Sequence, residues 1–450
     1  MIEPLPRVVL VVGSGGREHA LCWRLLADGV ERVLAAPGNA GMAREAELQP
    51  GLQATDAEGL VRLCRREGVE LVVVGPEAPL VAGLADRLRA EGIPGFGPDA
   101  AAARLEGSKT FCREIAQAAG VPMAEGQAFE AVGPALDFAE RLGGSVVIKA
   151  DGLAAGKGVT VCGSVVEAEA ALREAIEERA FGGAGARVIV ERALEGREAS
   201  LIAITDGLTT VALSPARDHK RLLDDDRGPN TGGMGAYSPL EDVPDEAAIG
   251  LVERFHRPVL EEMRRRGSPF VGALYAGLML TEEGPRLLEF NARFGDPETQ
   301  AIVPRLGVPL APLLLAAATG RLAGVAETLG LAGFVPSRDE ASVCVVIAAG
   351  GYPGSPELGH PIDGIDEARA AGAAVFTAGV EAIPGGTAGG LRTAGGRVLA
   401  VVGRGQTLDE AAATAYRGAD RITFAGAQLR RDIGRVAEPA AAPALAGVGT

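Results

Sequence analysis

Over the first hundred residues, unbroken apolar runs alternate with apolar positions at helical spacing. Residues 8–12 are apolar throughout and lead into Gly13-Ser14-Gly15-Gly16-Arg17-Glu18-His19, after which residues 20–26 carry a helical periodicity. Residues 31–36 and 71–74 are two more runs of strand length, ending in Pro37-Gly38-Asn39 and Gly75-Pro76-Glu77. Between them Thr55-Asp56-Ala57-Glu58 has the form of a capping box opening a helix to about Glu67, and a further helix starts near Ala78. Wholly apolar strands separated by helices predict an open parallel sheet, covered on both faces, over residues 1–105. Ligands of such sheets sit beyond the strand C-termini, and all three glycine-bearing loops fall there. The turn at residues 13–16 is either an anion site or purely structural. It is not a dinucleotide fingerprint, because Glu18 stands where the third glycine belongs and the second strand ends without a ribose-binding acid. His19 reads as an ordinary helix residue.

The pattern then changes. Ser108-Lys109-Thr110 opens a helix, another spans about 134–142, and residues 145–150 form a strand carrying Lys149. Asp151-Gly152-Leu153-Ala154-Ala155-Gly156-Lys157-Gly158 follows and leads into a second strand, 159–161. Strand, glycine loop, strand is a hairpin and not a Walker A loop. Such a flap can close over a triphosphate with backbone N–H groups and Lys157, while Lys149 reaches the phosphates from beneath; the alternative is an exposed flexible hairpin. Strands at 188–192, 201–204 and 211–213 come next. Residues 214–237 have almost no apolar periodicity, and their charges and glycines suit a long loop that wraps a substrate. Within it Asp224-Asp225-Asp226 reads as solvated surface. A long helix, 245–266, holds His256 as an ordinary helix residue, and an apolar strand follows at 270–280.

That strand pairs with the most informative stretch, Leu288-Glu289-Phe290-Asn291-Ala292-Arg293-Phe294-Gly295-Asp296-Pro297-Glu298. Strict alternation puts Glu289, Asn291 and Arg293 on one face and Leu288, Phe290 and Ala292 on the other. Two oxygen ligands and a cation in one row suit a metal-bound polyphosphate, since Mg2+ takes carboxylate and amide oxygens and keeps positions for phosphate. A half-buried strand with a solvated polar face is the competing reading of Glu-x-Asn alone. Asp296 and Glu298 shape the turn or add carboxylates. Beyond residue 335 come strands at 342–349 and 397–402 and a helix capped at Thr407, a small α+β unit, and then an Ala/Pro/Gly-rich end.

The 450 residues carry 44 Lys plus Arg against 59 Asp plus Glu, a net charge of −15, which argues against a broad nucleic-acid surface. No apolar run reaches membrane-spanning length, and no signal-peptide pattern opens the chain. Five cysteines without a Cys-x-x-Cys pair and four dispersed histidines indicate neither a disulfide frame nor a zinc site, and fit a reducing cytoplasm. No Ser/His/Asp or Cys/His constellation is present.

Several strings match in order over about residues 7–435: the glycine turn with Arg17-Glu18-His19, Ala36-Pro37-Gly38-Asn39, Gly75-Pro76-Glu77-Ala78-Pro79, residues 148–159, Asp218-His219-Lys220-Arg221, residues 228–239 and residues 289–300. By them the chain resembles the ATP-grasp ligases and, within these, the phosphoribosylamine–glycine ligase family of purine biosynthesis. Residues 222–227 are more acidic and Leu-rich than that pattern, and the chain ends differently beyond 436. The resemblance implies a multidomain α/β and α+β architecture. Its parts are a doubly wound N-terminal substrate domain (1–105), an ATP-grasp domain (106–335) with a flap subdomain near 125–195, a C-terminal α+β domain (336–435) and a disordered tail (436–450). It implies ligation of glycine to 5-phosphoribosylamine through a glycyl phosphate, giving glycinamide ribonucleotide, ADP and phosphate. The protein would be a cytoplasmic monomer whose partners are small molecules, with neither nucleic acid nor membrane. Glu289 and Asn291 would bind Mg2+ or Mn2+. Lys109, Lys149, Gly156, Lys157 and Gly158 would hold the ATP phosphates, Glu191 and Leu194 the adenine, and Glu198 the ribose. Gly13, Ser14, Gly15, Gly16, Asn39 and Glu77 would hold phosphoribosylamine, with Asn230, Thr231 and Gly232 in the substrate loop. Arg293, Asp218, Lys220 and Asp296 would hold glycine and the transition state. The nearest rival is an ATP-grasp ligase for another acid or amine; a non-catalytic nucleotide-binding relative would be expected to lack Glu289, Asn291 or Lys149.

Overall fold

A computed structural model describes residues 5–153, 158–385 and 389–435. Gly156 and Lys157 of the flap, and the tail expected from 436, lie outside the described residues.

The N-terminal apolar runs form a parallel sheet. Strand Val8–Gly13 lies at its centre between Arg32–Pro37 and Leu71–Val74, with Glu47–Leu48 and Gly95–Phe96 at the edges. Both faces are buried, which is why the strands are apolar without alternation: Val9 and Val11 enter one core, Leu10 and Val12 the other. Strand order reverses beside Val8–Gly13, so the loops after residues 13, 37 and 74 open on one crevice. The helix after residue 55 is capped by Asp56, whose carboxylate accepts from Gly59 N, and not by the expected Thr55 box. Thr407 does cap its helix, accepting from Glu410 N.

The flap subdomain is an antiparallel sheet in the order Gly126–Phe129, Val188–Arg192, Val146–Ala150, Val159–Cys162, backed by two helices over its own small core. The central sheet runs Thr210–Ala212, Arg197–Thr205, Gly272–Thr281, Gly284–Asn291, all antiparallel. Helix Ala311–Ala318 is packed in one core with residues of the N-terminal and central sheets, welding the two together.

The segment 214–237 is not the structureless loop its polarity predicts. Arg217–Asp218 and Gly235–Ser238 are strands, and the second pairs with Ala341–Ala348 in the C-terminal sheet, which continues through Arg397–Gly405 to Ala374–Thr377. Between them Arg221–Leu223 and Arg227–Asn230 form a hairpin whose strands, among the described residues, pair only with each other. These strands are too short, and too rich in residues that face the site, to show an apolar period. The long helix at 245–266 carries a π-helical turn at Val252–His256.

Candidate active site

The N-terminal, flap, central and C-terminal units enclose a cavity of about 2310 Å³. Its floor is the strand Gly284–Asn291. A bulge breaks the register of this strand where Gly277 faces Glu289 and Leu278 faces Leu287. The extra residue, Leu288, therefore leaves the core face on which alternation placed it and lines the cavity, while Leu287, Phe290 and Ala292 are buried in the core. Glu289, Asn291 and Arg293 line the cavity as expected. Glu289 is ion-paired with Lys109, and Asn291 Nδ2 lies 3.4 Å from Glu289 Oε1. Burial alone would raise the Glu289 carboxyl, but Lys109, Lys220 and Lys149 outweigh it and hold it well below the usual range. Among the described residues no group of three or more His, Cys, Asp or Glu side chains converges as a metal site. Glu289 and Asn291 offer two hard oxygen donors, which fits a divalent cation that takes its remaining ligands from phosphate and water.

Lys149 crosses from the flap sheet to this floor. Its Nζ donates to Leu288 O at 2.8 Å and pairs with Glu191 Oε2 at 2.7 Å, and Arg113 holds the other Glu191 oxygen at 3.1 Å. Glu191 is thus fixed by two cations on a buried strand. Leu194, Glu198 and Gly158 line the same cavity, and Glu198 is paired with Lys220 at 2.5 Å.

On the opposite wall Gly13, Ser14 and Gly15 line the main cavity, and Gly16 lines a smaller adjoining one of about 270 Å³. Here Glu18 explains why the turn is not a dinucleotide site. Its carboxylate folds back on the turn, accepting from Gly15 N at 2.6 Å and from Arg17 Nε at 2.7 Å. A Cβ on Gly13 (φ +130°) would meet Glu18 Cγ at 2.6 Å, so the side chain occupies space that a close-approaching pyrophosphate would need. Asn39 does not line the cavity and supports its wall from behind. Its amide donates to Ser14 O and Thr377 O and accepts from Gly41 N and Thr377 Oγ1. His19 is a helix residue with a further task, for its Nδ1 accepts from Thr377 N at 2.8 Å and its Nε2 meets Glu45 at 3.1 Å.

Glu77 lines the cavity beside Arg293, which bonds Glu106 at 2.8 Å. Arg293 Nε, 3.5 Å from Glu77, is a buried donor that has no hydrogen-bond partner among the described residues. Asp218, Lys220, Asp296, Asn230, Thr231 and Gly232 complete the expected set. Burial, reinforced by Glu298 and Glu198 and opposed by Lys220, pushes the Asp218 carboxyl up to about 7. Burial would also raise Asp296, but Arg397 and Arg17 hold it below its ordinary value.

Several wall residues escape a reading of the sequence. Arg397, from the C-terminal sheet, donates to Gly232 O and to Asp296 O, while Gly232 N donates to Tyr352 Oη at 2.9 Å. Tyr275 and Glu298 share Ser200, at 2.8 Å and 3.0 Å, so Glu298 does more than shape a turn. An arginine opening an apolar strand and a tyrosine within one carry no local signal; Arg17, inside a glycine-turn string, was the most accessible of the missed residues.

A flap sheet whose Lys149 reaches across to an antiparallel sheet carrying Glu289 and Asn291, with Lys109 paired to Glu289 from a neighbouring helix, defines the ATP-grasp class. Solved biotin carboxylase domains share the fold, for example that of 2-oxoglutarate carboxylase from Hydrogenobacter thermophilus (TM-score 0.67, 18% identity, covering 95% of this chain and 92% of that one). Models of the phosphoribosylglycinamide synthetase N domain, ATP-grasp (A) domain and C domain match residues 7–106, 107–299 and 342–436, and the chain belongs to that family. It is 50% identical to the phosphoribosylamine–glycine ligase of Streptomyces coelicolor over 431 residues (94% of this chain, 98% of that one). The enzyme of Mesorhizobium japonicum is 47% identical over 427 residues (95% and 97%). The crystal structure of the Thermotoga maritima enzyme superposes with a TM-score of 0.79 at 34% identity, covering 94% of this chain and 99% of that one.

Proposed function

We propose that the chain is an ATP-dependent carbon–nitrogen ligase joining glycine to 5-phosphoribosylamine, with glycinamide ribonucleotide, ADP and phosphate as products. The observation that carries this reading is the single cavity in which Lys109, Lys149, Glu289 and Asn291 face the switch-point loops of the N-terminal sheet, in a chain that belongs to this family along its length.

Glycine carboxylate is a poor electrophile. One of its oxygens attacks the γ-phosphorus, the bond to the β-phosphate oxygen breaks, and ADP leaves. The amine nitrogen then attacks the acyl carbon of glycyl phosphate, the carbon–oxygen bond to phosphate breaks, and the nitrogen sheds a proton. Phosphoryl transfer asks mainly for position and neutralised charge. Lys109 and Lys149 hold the phosphates, with Lys157 assigned the same task outside the described residues. Glu191 and Leu194 border the adenine and Glu198 the ribose. Glu289 and Asn291 hold the divalent cation, Mg2+ or Mn2+, which when bound spreads the charge of the transferring phosphoryl group. Arg293, whose buried Nε makes no hydrogen bond among the described residues, grips the glycine carboxylate together with Lys220, while Asp218 and Asp296 face the amines. Gly13–Gly16 and Glu77 receive phosphoribosylamine, and Asn39 acts through Ser14. We read it as a cytoplasmic monomer; the five free buried thiols fit the reducing compartment.

The test is ADP release by the purified protein. It should require both glycine and freshly prepared phosphoribosylamine. Turnover with another acid or amine in place of either would overturn the assignment in favour of a different ligase of the same class.

A further inference from the structure

Arg430 is the largest of the fully buried side chains, 1% exposed, yet it carries a charge. Its guanidinium spans two carboxylates, Asp226 at 2.7 Å and Asp432 at 2.6 Å, and donates to Arg221 O at 3.1 Å. The neighbouring backbone follows the same line: Arg431 N donates to Asp224 at 2.7 Å, and Asp225 N donates to Asp432 at 2.9 Å. The acidic run expected as solvated surface is therefore a docking strip for residues 430–432. It sits at the tip of the hairpin Arg221–Leu223/Arg227–Asn230, where Asp225 and Asp226 take left-handed φ values of +58° and +50°. Among the described residues this hairpin pairs with no other sheet, and its Leu223 is 49% exposed, so apolar packing does little to fix it. Yet its base carries Lys220 and residues 230–232, and Asp225, Asp226, Arg430 and Asp432 themselves line the cavity.

We infer that Arg430 is a positioning residue for the ligation, latching the hairpin over the cavity so that Lys220 and residues 230–232 meet the acid and amine substrates. The inference rests on the substrate role proposed for that segment. A buried guanidinium between two carboxylates suits a latch, because its planar fork can serve both acids and a backbone carbonyl at once.

The experiment uses the full chain with Arg430→Met, Arg430→Lys and Asp226→Asn, measuring KM for ATP, glycine and phosphoribosylamine beside trypsin cleavage after Arg227. For Arg430→Met the expected result is a glycine KM raised about tenfold with the ATP KM within about twofold, and markedly faster cleavage. Arg430→Lys should recover part of both effects, since an ammonium is a point charge and not a fork. Should Arg430→Met fail to fold, Asp226→Asn decides, because that carboxylate is 72% exposed and the fold does not rest on it. It should shift the glycine KM and cleavage the same way, about two- to threefold. An unchanged glycine KM with unchanged cleavage, or glycine and ATP KM rising together, would overturn the latch. Failure of the reaction assignment looks different: the wild-type chain would turn over another acid, on which the same KM ratio is then read, and the cleavage result stands regardless.

Discussion

Glu289→Ala should cripple turnover while leaving the chain folded. Glu289 sits among Lys109, Lys149 and Lys220, whose charges hold its carboxyl well below the usual range against the opposing effect of burial. It is ionised at every working pH and is the only carboxylate on the short donor row. In the folded protein its loss deprives Lys109 of its ion-pair partner. That lysine borders a water-accessible cavity, so the cost is nearer a lost charge-assisted hydrogen bond than a stranded buried ion, about 1–2 kcal/mol. On the reaction the loss is larger. A preorganised charge aimed at a developing one is worth about 3–4 kcal/mol, which lowers kcat by about 10²–10³. Glu289→Gln is the control, because its amide oxygen can still accept from Lys109. It should restore most of the stability and little of the rate. The assay is ADP release at saturating ATP, glycine and phosphoribosylamine over a titration of Mg2+, beside thermal unfolding of each variant. A folded Glu289→Ala protein with kcat within about tenfold of wild type would refute the metal role of this carboxylate.

Three further outcomes are expected. Burial pushes the His256 imidazole from 6.5 to about 4, so the stability it contributes is complete above pH 6.5 and is lost as pH falls toward 4. The urea midpoint of wild type relative to His256→Gln should drop over that window by the equivalent of about 3 kcal/mol, and parallel pH profiles would show the reasoning wrong. Thr377→Val removes a donor to Asn39 and a partner of His19; a KM for phosphoribosylamine raised about three- to tenfold with the ATP KM unmoved is the expected result, and the reverse split would contradict it. Asp218, pushed by burial up to about 7, ionises only as pH rises through that value. Hence kcat/KM for glycine should rise with an inflection near pH 7 in wild type and lose that inflection in Asp218→Asn, where a persisting one would assign it to another group.

The sequence made the N-terminal sheet legible because burial on both faces leaves unbroken apolar runs, and glycine turns mark where its strands end. The floor strand was legible in its chemistry but not in its parity, since a bulge is a pairing event between two strands that neither sequence announces. Segment 214–237 was misread for a related reason: its strand Gly235–Ser238 is held by Ala341–Ala348, more than a hundred residues away. The same distance hides Arg397 and Arg430, whose partners at Gly232, Asp296 and Asp226 become neighbours only when the C-terminal sheet accepts Gly235–Ser238. Asn39 stands inside a recognisable string, yet its string says nothing of Thr377, which turns it from a wall residue into a prop.

A chain of net charge −15 has to hold a polyphosphate without a basic surface, and the pairing inside the cavity shows how. Lys109 is matched with Glu289, Lys149 with Glu191, Lys220 with Glu198 and Arg293 with Glu106, so each cation is held in place by its own carboxylate. These pairs are not equivalent on the proposed roles. Glu191 is also fixed by Arg113, so Lys149 can turn to a phosphate without stranding its partner. Among the described residues Glu289 has no second cation bonded to it, and its release by Lys109 is compensated only if a divalent ion takes the carboxylate as the phosphate takes the lysine. Metal and nucleotide thus enter as one electrostatic exchange, and each must raise the affinity for the other by the same factor. Nucleotide binding measured with and without Mg2+ should show that coupling in the wild-type chain. Glu289→Gln should lose most of it, because the side chain that links the two ligands no longer carries a charge to hand over.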